Sequence, residues 1–198
     1  MSIKDGKLLY HLTTLDALPS IAETGLLSRG ELARRNIVFT DTADHEILSG
    51  RERLGLSDYI PFHFHHQTSY DSGVKYSHTN TVFIYIRITR NFAKEHNFKI
   101  LPNHPNSLEH PDLYDYEEGF NLIDWNVMEL TRSQALERNI EERYHKQVRM
   151  AECLSPVPVN IRDFQSIIVP DNDTKLIVSD IIGFPPPFID VDENGIYF

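Results

Sequence analysis

Apolar positions fall in short runs along this chain, and the spacing within each run predicts an element. Residues 7–13 (KLLYHLT) read as a strand. A short helix is expected next, with Asp16 and Ser20 as caps, Ser20-x-x-Glu23 as a capping box, and Gly25 at its end. Pro19 is tolerable only near its first turn. Residues 28–58 are polar and carry Arg29, Arg34, Arg35, Arg51 and Arg53; they predict a long excursion with one helical piece over 44–54. Residues 59–64 alternate as a strand in which Pro61 argues for an edge or a bulge, and 65–70 continue as a loop.

Residues 81–88 (TVFIYIRI) are the clearest strand, rich in β-branched and aromatic side chains. Asn91 is expected to cap a short helix through Glu95, with a strand over 98–101 and a loop over 102–118. From Gly119 to Tyr144 the pattern is helical, with Ile123-Asp124-Trp125 as an anchor between pieces. Residues 149–154 fit strand or helix equally, and Pro156 and Pro158 stop either one. Residues 166–170 predict a buried strand and 173–178 a short helix. Asn194-Gly195 then predicts a hairpin of 188–191 with 196–198. Strands scattered among short helices read as α+β, and no repeat or linker divides residues 1–198, so one domain is expected.

Two polar features stand out from this pattern. His11 and Thr13 lie two residues apart, a spacing that puts both side chains on one face of a strand. Glu152 lies among Met150, Ala151, Cys153 and Leu154, where burial is expected. An unpaired buried carboxylate is expensive, so it has a partner or a task.

Composition narrows the setting more than the chemistry. The chain has 198 residues, 40% hydrophobic and 24% charged, as in ordinary globular proteins. No run approaches the ~18–20 apolar residues of a membrane span, and the first residues lack the apolar core of a signal peptide. A single cysteine, Cys153, excludes an intrachain disulfide and a cysteine-based zinc framework. Together these favour the cytoplasm and no membrane partner. The net charge of −10 argues mildly against a nonspecific nucleic-acid coat. Residues 150–198 hold eight acidic and two basic side chains, so the rest of the chain still has room for a basic groove.

Common site chemistries are mostly absent. There is no phosphate-cradling glycine loop, no nucleophile elbow and no H-E-x-x-H. His63, His65 and His66 are dense, and His63 and His65 would share a strand face, yet no spaced partner completes a metal site; no metal is expected. The apolar flanks of Cys153 mark a packing thiol. What remains is the scattered set His11, Thr13, Arg51 and Glu152. By residue type alone, each also has an ordinary role: satisfied strand residues, a surface charge, and a carboxylate paired with Arg149 or Arg162.

Taken in order, the blocks Tyr10-His11-Leu12-Thr13, Leu18-Pro19-Ser20-Ile21, Gly25-Leu26-Leu27-Ser28, Asp58-Tyr59-Ile60-Pro61-Phe62-His63-Phe64, Ile123-Asp124-Trp125 and Arg149-Met150-Ala151-Glu152-Cys153-Leu154 resemble the DarT family. These are bacterial toxins that move ADP-ribose from NAD to bases of DNA. The resemblance implies an ADP-ribosyltransferase-like fold, a split mixed sheet around a NAD cleft with peripheral helices. It implies NAD as substrate, single-stranded DNA as acceptor, and an antitoxin partner in a toxin–antitoxin or phage-defence system. Transfer to RNA, or a silent NAD- or nucleic-acid-binding module of the same fold, are the alternatives.

Carried over by position, His11 and Thr13 match the family's H-x-T, which would hold the nicotinamide ribose and amide, with Leu27 in the same NAD site. Arg51, with Arg53 as its rival, would contact the NAD phosphates or help activate the base. Glu152 matches the catalytic glutamate. His104, Tyr59 and His65 fall on the acceptor side. One departure concerns the base. The thymine-modifying members have a proline-, arginine- and methionine-containing loop after the Phe64 position, and this chain has His65-His66-Gln67-Thr68-Ser69-Tyr70 instead. Thymine, guanine and an RNA base all stay open on sequence.

Overall fold

The first apolar run becomes β1 (Leu8–Thr14), followed by a 3-10 turn (Leu15–Ala17) and α1 (Leu18–Thr24). This computed structural model describes residues 2–38, 45–66, 68–105, 112–183 and 188–198. Pro19 sits in the first turn of α1, where a missing N–H and a fixed φ are tolerated. The helix therefore starts upstream of Ser20, and the capping box predicted with Glu23 does not form; the Ser20 carbonyl accepts from the Thr24 hydroxyl at 2.8 Å. Gly25 ends the helix at φ 79°, and a Cβ there would meet the Val159 carbonyl at 3.1 Å.

Among the described residues, two helices rather than one occupy the polar excursion: α2 (Arg29–Arg34) and α3 (His45–Arg53), with Asp44 outside those residues. Ser28 caps α2, its hydroxyl accepting from the Glu31 N–H at 3.2 Å. β2 (Ile60–His63) is followed by α4 (Ser69–Ser77) where a loop is predicted, because the Thr68 hydroxyl accepts from the Asp71 N–H at 3.0 Å. β3 (Phe83–Thr89) leads into α5 (Arg90–Glu95), capped by Thr89 and not by Asn91. β4 (Lys99–Leu101), β5 (Tyr114–Asp115), α6 (Tyr116–Leu122), α7 (Trp125–Met128), α8 (Arg132–Glu137) and α9 (Glu142–Arg149) follow. The loop predicted over 102–118 thus gives way at β5 and α6, and residues 106–111 of it, His110 and Pro111 included, lie outside the described residues. The anchor at Asp124-Trp125 is specific: Asp124 caps α7, accepts from the Tyr144 hydroxyl at 3.0 Å, and Trp125 Nε1 donates to the Phe120 carbonyl at 2.9 Å.

The undecided stretch resolves as the end of α9 and β6 (Glu152–Ser155); β7 (Ser166–Val169), α10 (Asn172–Ile182) and β8 (Ile189–Val191) complete the fold. The terminal hairpin is absent among the described residues. β8 pairs in parallel with β7, and the N–H groups of Ile196, Tyr197 and Phe198 go to the Asp192 carboxylate at 2.7–3.1 Å. Asn194-Gly195 does turn the chain, but Asp192 takes the donors that a second strand would have paired.

Among the described residues, the strands join one mixed sheet in the order β5-β4-β6-β2-β1-β3-β7-β8, antiparallel except for the last pair. β1 pairs with β3 along its whole length, Leu8↔Thr89 to Thr14↔Phe83, whereas β1 meets β2 only at Tyr10↔His63. The sheet is therefore split between β1 and β2. This explains how Pro61 sits in an interior strand. In an extended strand a residue's N–H and C=O point to the same neighbour, and the Pro61 carbonyl is met by the His11 ring across the split. Its missing N–H faces a side where no ladder runs, so Pro61 occupies a local edge.

Residues opposite one another in register project from the same face. One such row crosses the sheet as Leu101, Glu152, His63 and Tyr10. The neighbouring row, Ile100, Cys153 and Phe62, points into the apolar core with Leu9, Ile86 and Phe98. Each such fully buried side chain contributes about 1.5–3 kcal/mol relative to exposure, which fixes the register that turns Glu152 to the other face.

Candidate active site

The partner of Glu152 is Arg51, 101 residues earlier in the chain. Arg51 Nη1 donates to both carboxylate oxygens at 2.8 Å, and the two residues are 6% and 4% exposed. Neither Arg149 nor Arg162 takes that role. Arg53, the rival arginine, is exposed. Burial pushes the Glu152 carboxyl up, but the Arg51 guanidinium, with His63 and His104 nearby, more than offsets this and holds it below the usual carboxylate value. The carboxylate is therefore ionised in a nearly dry wall. Arg51 Nη2 is buried with no hydrogen-bond partner among the described residues. A buried guanidinium with one unused donor has something left to bind.

That wall belongs to a cleft of about 300 Å3, and the cleft opens where the sheet splits. It brings together residues that the sequence scatters: His11 and Thr13 from β1, Leu27 from the loop after α1, Arg51 from α3, and Glu152 from β6. Tyr59 and His104 line it as well. The loop carrying Leu27 is pinned by paired bonds between Leu26 and Val159 at 2.8 and 3.0 Å. His11 Nδ1 lies 2.7 Å from the Pro61 carbonyl, which can only accept. Nδ1 therefore carries the proton, and Nε2 of the neutral ring is an acceptor. Burial lowers the His11 pKa to about 4, so the ring is neutral near pH 7.

His65 stands apart from this set. It does not line the cleft; its Nε2 is 2.9 Å from the Arg149 carbonyl, and burial lowers its pKa. β2 ends at His63, so the face-sharing that the sequence predicts for His63 and His65 does not arise. Arg149 itself donates to the carbonyls of Met128 and Leu130 at 2.7 and 3.2 Å, fixing the turn that leads into Glu152. Cys153 is buried on the core side, and burial pushes its thiol up. Among the described residues, no group of three or more His, Cys, Asp or Glu side chains is arranged to hold a metal ion.

Among the cleft residues that sequence reasoning missed are His63, Tyr70 and Asp71. His63 faces Glu152 directly across the β2–β6 ladder, and its Nδ1 lies 3.2 Å from the Ala151 carbonyl. Tyr70 and Asp71 are carried by the first turn of α4, whose Thr68-x-x-Asp71 cap was the available clue.

A buried, ionised carboxylate beside a guanidinium with a spare donor and a neutral imidazole acceptor suits one kind of chemistry. It can stabilise positive charge developing on a polar substrate, bind a hydroxyl through His11, and take a proton from an attacking nucleophile.

A family model described as "ssDNA thymidine ADP-ribosyltransferase, DarT" matches residues 10–198. No curated protein matches the sequence. Among solved structures, the fold is similar to Thermosipho africanus DarTG in complex with ADP-ribose, at TM-score 0.74 and 23% identity; 94% of this chain is covered. This chain spans half of that one. It is similar too to Thermus sp. 2.9 DarT in complex with ADP-ribosylated ssDNA, at TM-score 0.74, 16% identity and 93% coverage of each chain. The same Thermus protein in complex with NAD+ aligns at TM-score 0.71 and 14% identity, covering 94% of this chain and 96% of that one.

Proposed function

The chain belongs to the DarT family of ADP-ribosyltransferases, and from that premise we propose that it transfers ADP-ribose from NAD to a base of single-stranded DNA through the cleft built on Arg51 and Glu152. The observation that carries this reading is the buried Arg51–Glu152 pair in a wall shared with His11 and Thr13. Breaking the nicotinamide–ribose bond sends its electron pair to the nicotinamide and leaves positive charge on the ribose carbon. Glu152, kept ionised by Arg51, stabilises that charge at no reorganisation cost. The acceptor nitrogen attacks the same carbon, and its proton passes to the Glu152 carboxylate.

The remaining groups fall into place around that step. His11 Nε2 accepts from a ribose hydroxyl, Thr13 and Leu27 border the nicotinamide end, and the spare Nη2 of Arg51 donates to the NAD diphosphate or to the acceptor base. A second, more open groove of about 590 Å3 continues past His104 and Met150 along α9, lined by Arg143 and Lys146 as well as Glu141 and Glu142. An unpaired strand can lie there and turn one base inward beside His104 and Tyr59, whereas duplex stacking would hide its ring nitrogen.

The family description makes thymidine the first acceptor to test. The DarTG relative supports a toxin role with an antitoxin partner, and a single catalytic domain over residues 1–198 acting in the cytoplasm completes the reading. The test is incubation with labelled NAD and single-stranded DNA or RNA oligonucleotides, beside Glu152→Ala. Label on thymidine-containing DNA that vanishes in the variant is the expected result. Label confined to RNA, or to guanine, redirects the acceptor assignment; NAD binding with no transfer to any oligonucleotide refutes the enzymatic reading.

A further inference from the structure

The cleft and the groove that continues from it share two lining residues, His104 and Met150. The other described residues along the groove are Glu141, Glu142, Arg143, Lys146 and Gln147. Met150 is therefore the one apolar side chain among the described residues that line it. It is partly exposed, while its apolar neighbours Val148 and Ala151 are buried. A lone exposed methionine is ordinary on a protein surface. This one stands at the threshold of the cleft, two residues before Glu152.

Its place is set by the chain on both sides. Met150 closes α9, its N–H directed to the carbonyls of Lys146 and Gln147 at 3.2 and 3.3 Å. Arg149 is tied to the carbonyls of Met128 and Leu130, and β6 begins at Glu152. The backbone is held at both flanks, and an unbranched, polarisable side chain projects where the two spaces meet.

The chemistry of the acceptor base gives such a side chain a use. The thymine ring of a nucleoside has one nitrogen that carries a proton, between two carbonyls, and that edge must meet Glu152 for transfer. Uracil presents the same N–H and the same two carbonyls. Hydrogen bonds at the reacting edge therefore cannot separate the two bases. The C5 methyl can, and a methyl is read by apolar contact. Tyr59, Ile60, Pro61 and Pro105 line the cleft but not the groove, so a base turning in from the groove meets Met150 at the threshold.

Resting on thymine as the acceptor, we propose that Met150 packs against the C5 methyl of the incoming base and so makes the enzyme prefer thymine over uracil. That contact separates DNA from RNA by the base and not only by the sugar.

Transfer of labelled ADP-ribose to two single-stranded DNA oligonucleotides that differ only at the acceptor, thymidine in one and deoxyuridine in the other, tests this. Wild type should modify thymidine at least about tenfold faster, the lower end of what one methyl in an apolar contact supplies. Met150→Ala, and Met150→Gln with its polar side chain of similar length, should each bring the two rates to within about threefold. Met150→Leu, which keeps the apolar bulk, should hold most of the preference. The ratio is internal to each protein, so weaker folding or NAD binding slows both oligonucleotides alike and leaves it unmoved. An unchanged ratio in Met150→Ala or Met150→Gln overturns the assignment, as does wild-type protein that labels the two oligonucleotides equally. Wild-type protein that labels guanine and neither of these bases overturns the thymine reading itself, and this inference with it.

Discussion

Arg51 and Arg149 reach the stretch around Glu152 from opposite sides, one buried and one half-buried, and they are satisfied in different ways. Arg149 gives its hydrogen bonds to the carbonyls of Met128 and Leu130, beside His65, on the side away from the cleft. Arg51 gives one nitrogen to Glu152 and keeps the other, Nη2, without a partner among the described residues. The first arrangement ties α9 to the α7–α8 region and sets the turn into β6. The second holds a carboxylate ionised where a substrate can reach it. Burial alone therefore does not separate the two cations; the unfilled donor and the cleft do.

Breaking each arginine in turn sharpens the contrast. Arg51→Ala should lower transfer by about 100- to 1000-fold, a loss of the size seen when a group stabilising transition-state charge is removed. It should also destabilise the fold by about 3–5 kcal/mol, because Glu152 is left buried and uncompensated; activity assays and denaturant unfolding read the two effects. Arg149→Ala should cost about 1–3 kcal/mol through orphaned carbonyls, with transfer per folded molecule within about tenfold of wild type. Full stability with abolished transfer in Arg149→Ala would erase the distinction between the two residues.

A smaller effect comes from pH. His11 titrates near 6.5 when exposed and near 4 in the fold, and His66 is lowered to about 4 in the same way, in both cases by burial first. The unfolded chain therefore binds more protons in that window, so this contribution is complete above pH 6.5 and is lost as pH falls toward 4. Glu152 acts in the same direction at lower pH, since its carboxyl is held below its usual value. Melting temperature should be flat from pH 7 to 8 and drop by several degrees, roughly 4–8 °C per kcal/mol for a small domain and less for one this size, between pH 6.5 and 4. His11→Asn should flatten part of that drop, and an unchanged profile in this variant would remove His11 from the account.

How much of this was legible in the sequence depended on how local the cause was. The run Thr81–Ile88 predicts a strand because its β-branched and aromatic residues leave few alternatives, and β3 forms there. Ser20-x-x-Glu23 and Ser28-x-x-Glu31 carry the same short pattern, yet only Ser28 caps a helix, because Pro19 starts α1 earlier. The predicted terminal hairpin fails for a side-chain reason, the Asp192 carboxylate taking three backbone donors. At the site, the residue types of His11, Thr13 and Glu152 were conspicuous from the start. The partner of Glu152 was not, because a contact 101 residues distant leaves no local pattern. The family resemblance singled out Arg51, which the structure pairs with Glu152, and also His65, whose ring lies against the Arg149 carbonyl outside the cleft. Asp71 was hidden for the same reason that α4 was: Thr68 reads as a loop residue until its hydroxyl is seen to cap.

The central claim is that the Arg51–Glu152 pair is the transfer centre and not only a buried ion pair. Glu152→Gln tests it most directly, since the amide oxygen can still accept from Arg51 while the charge and the base are gone. With labelled NAD and a thymidine-containing single-stranded oligonucleotide, the initial rate should fall by at least about 1000-fold, while NAD binding stays close to wild type and the protein stays folded at a lower melting temperature, since the buried Arg51 loses its counter-charge. Transfer within tenfold of wild type by a folded Glu152→Gln protein would contradict it.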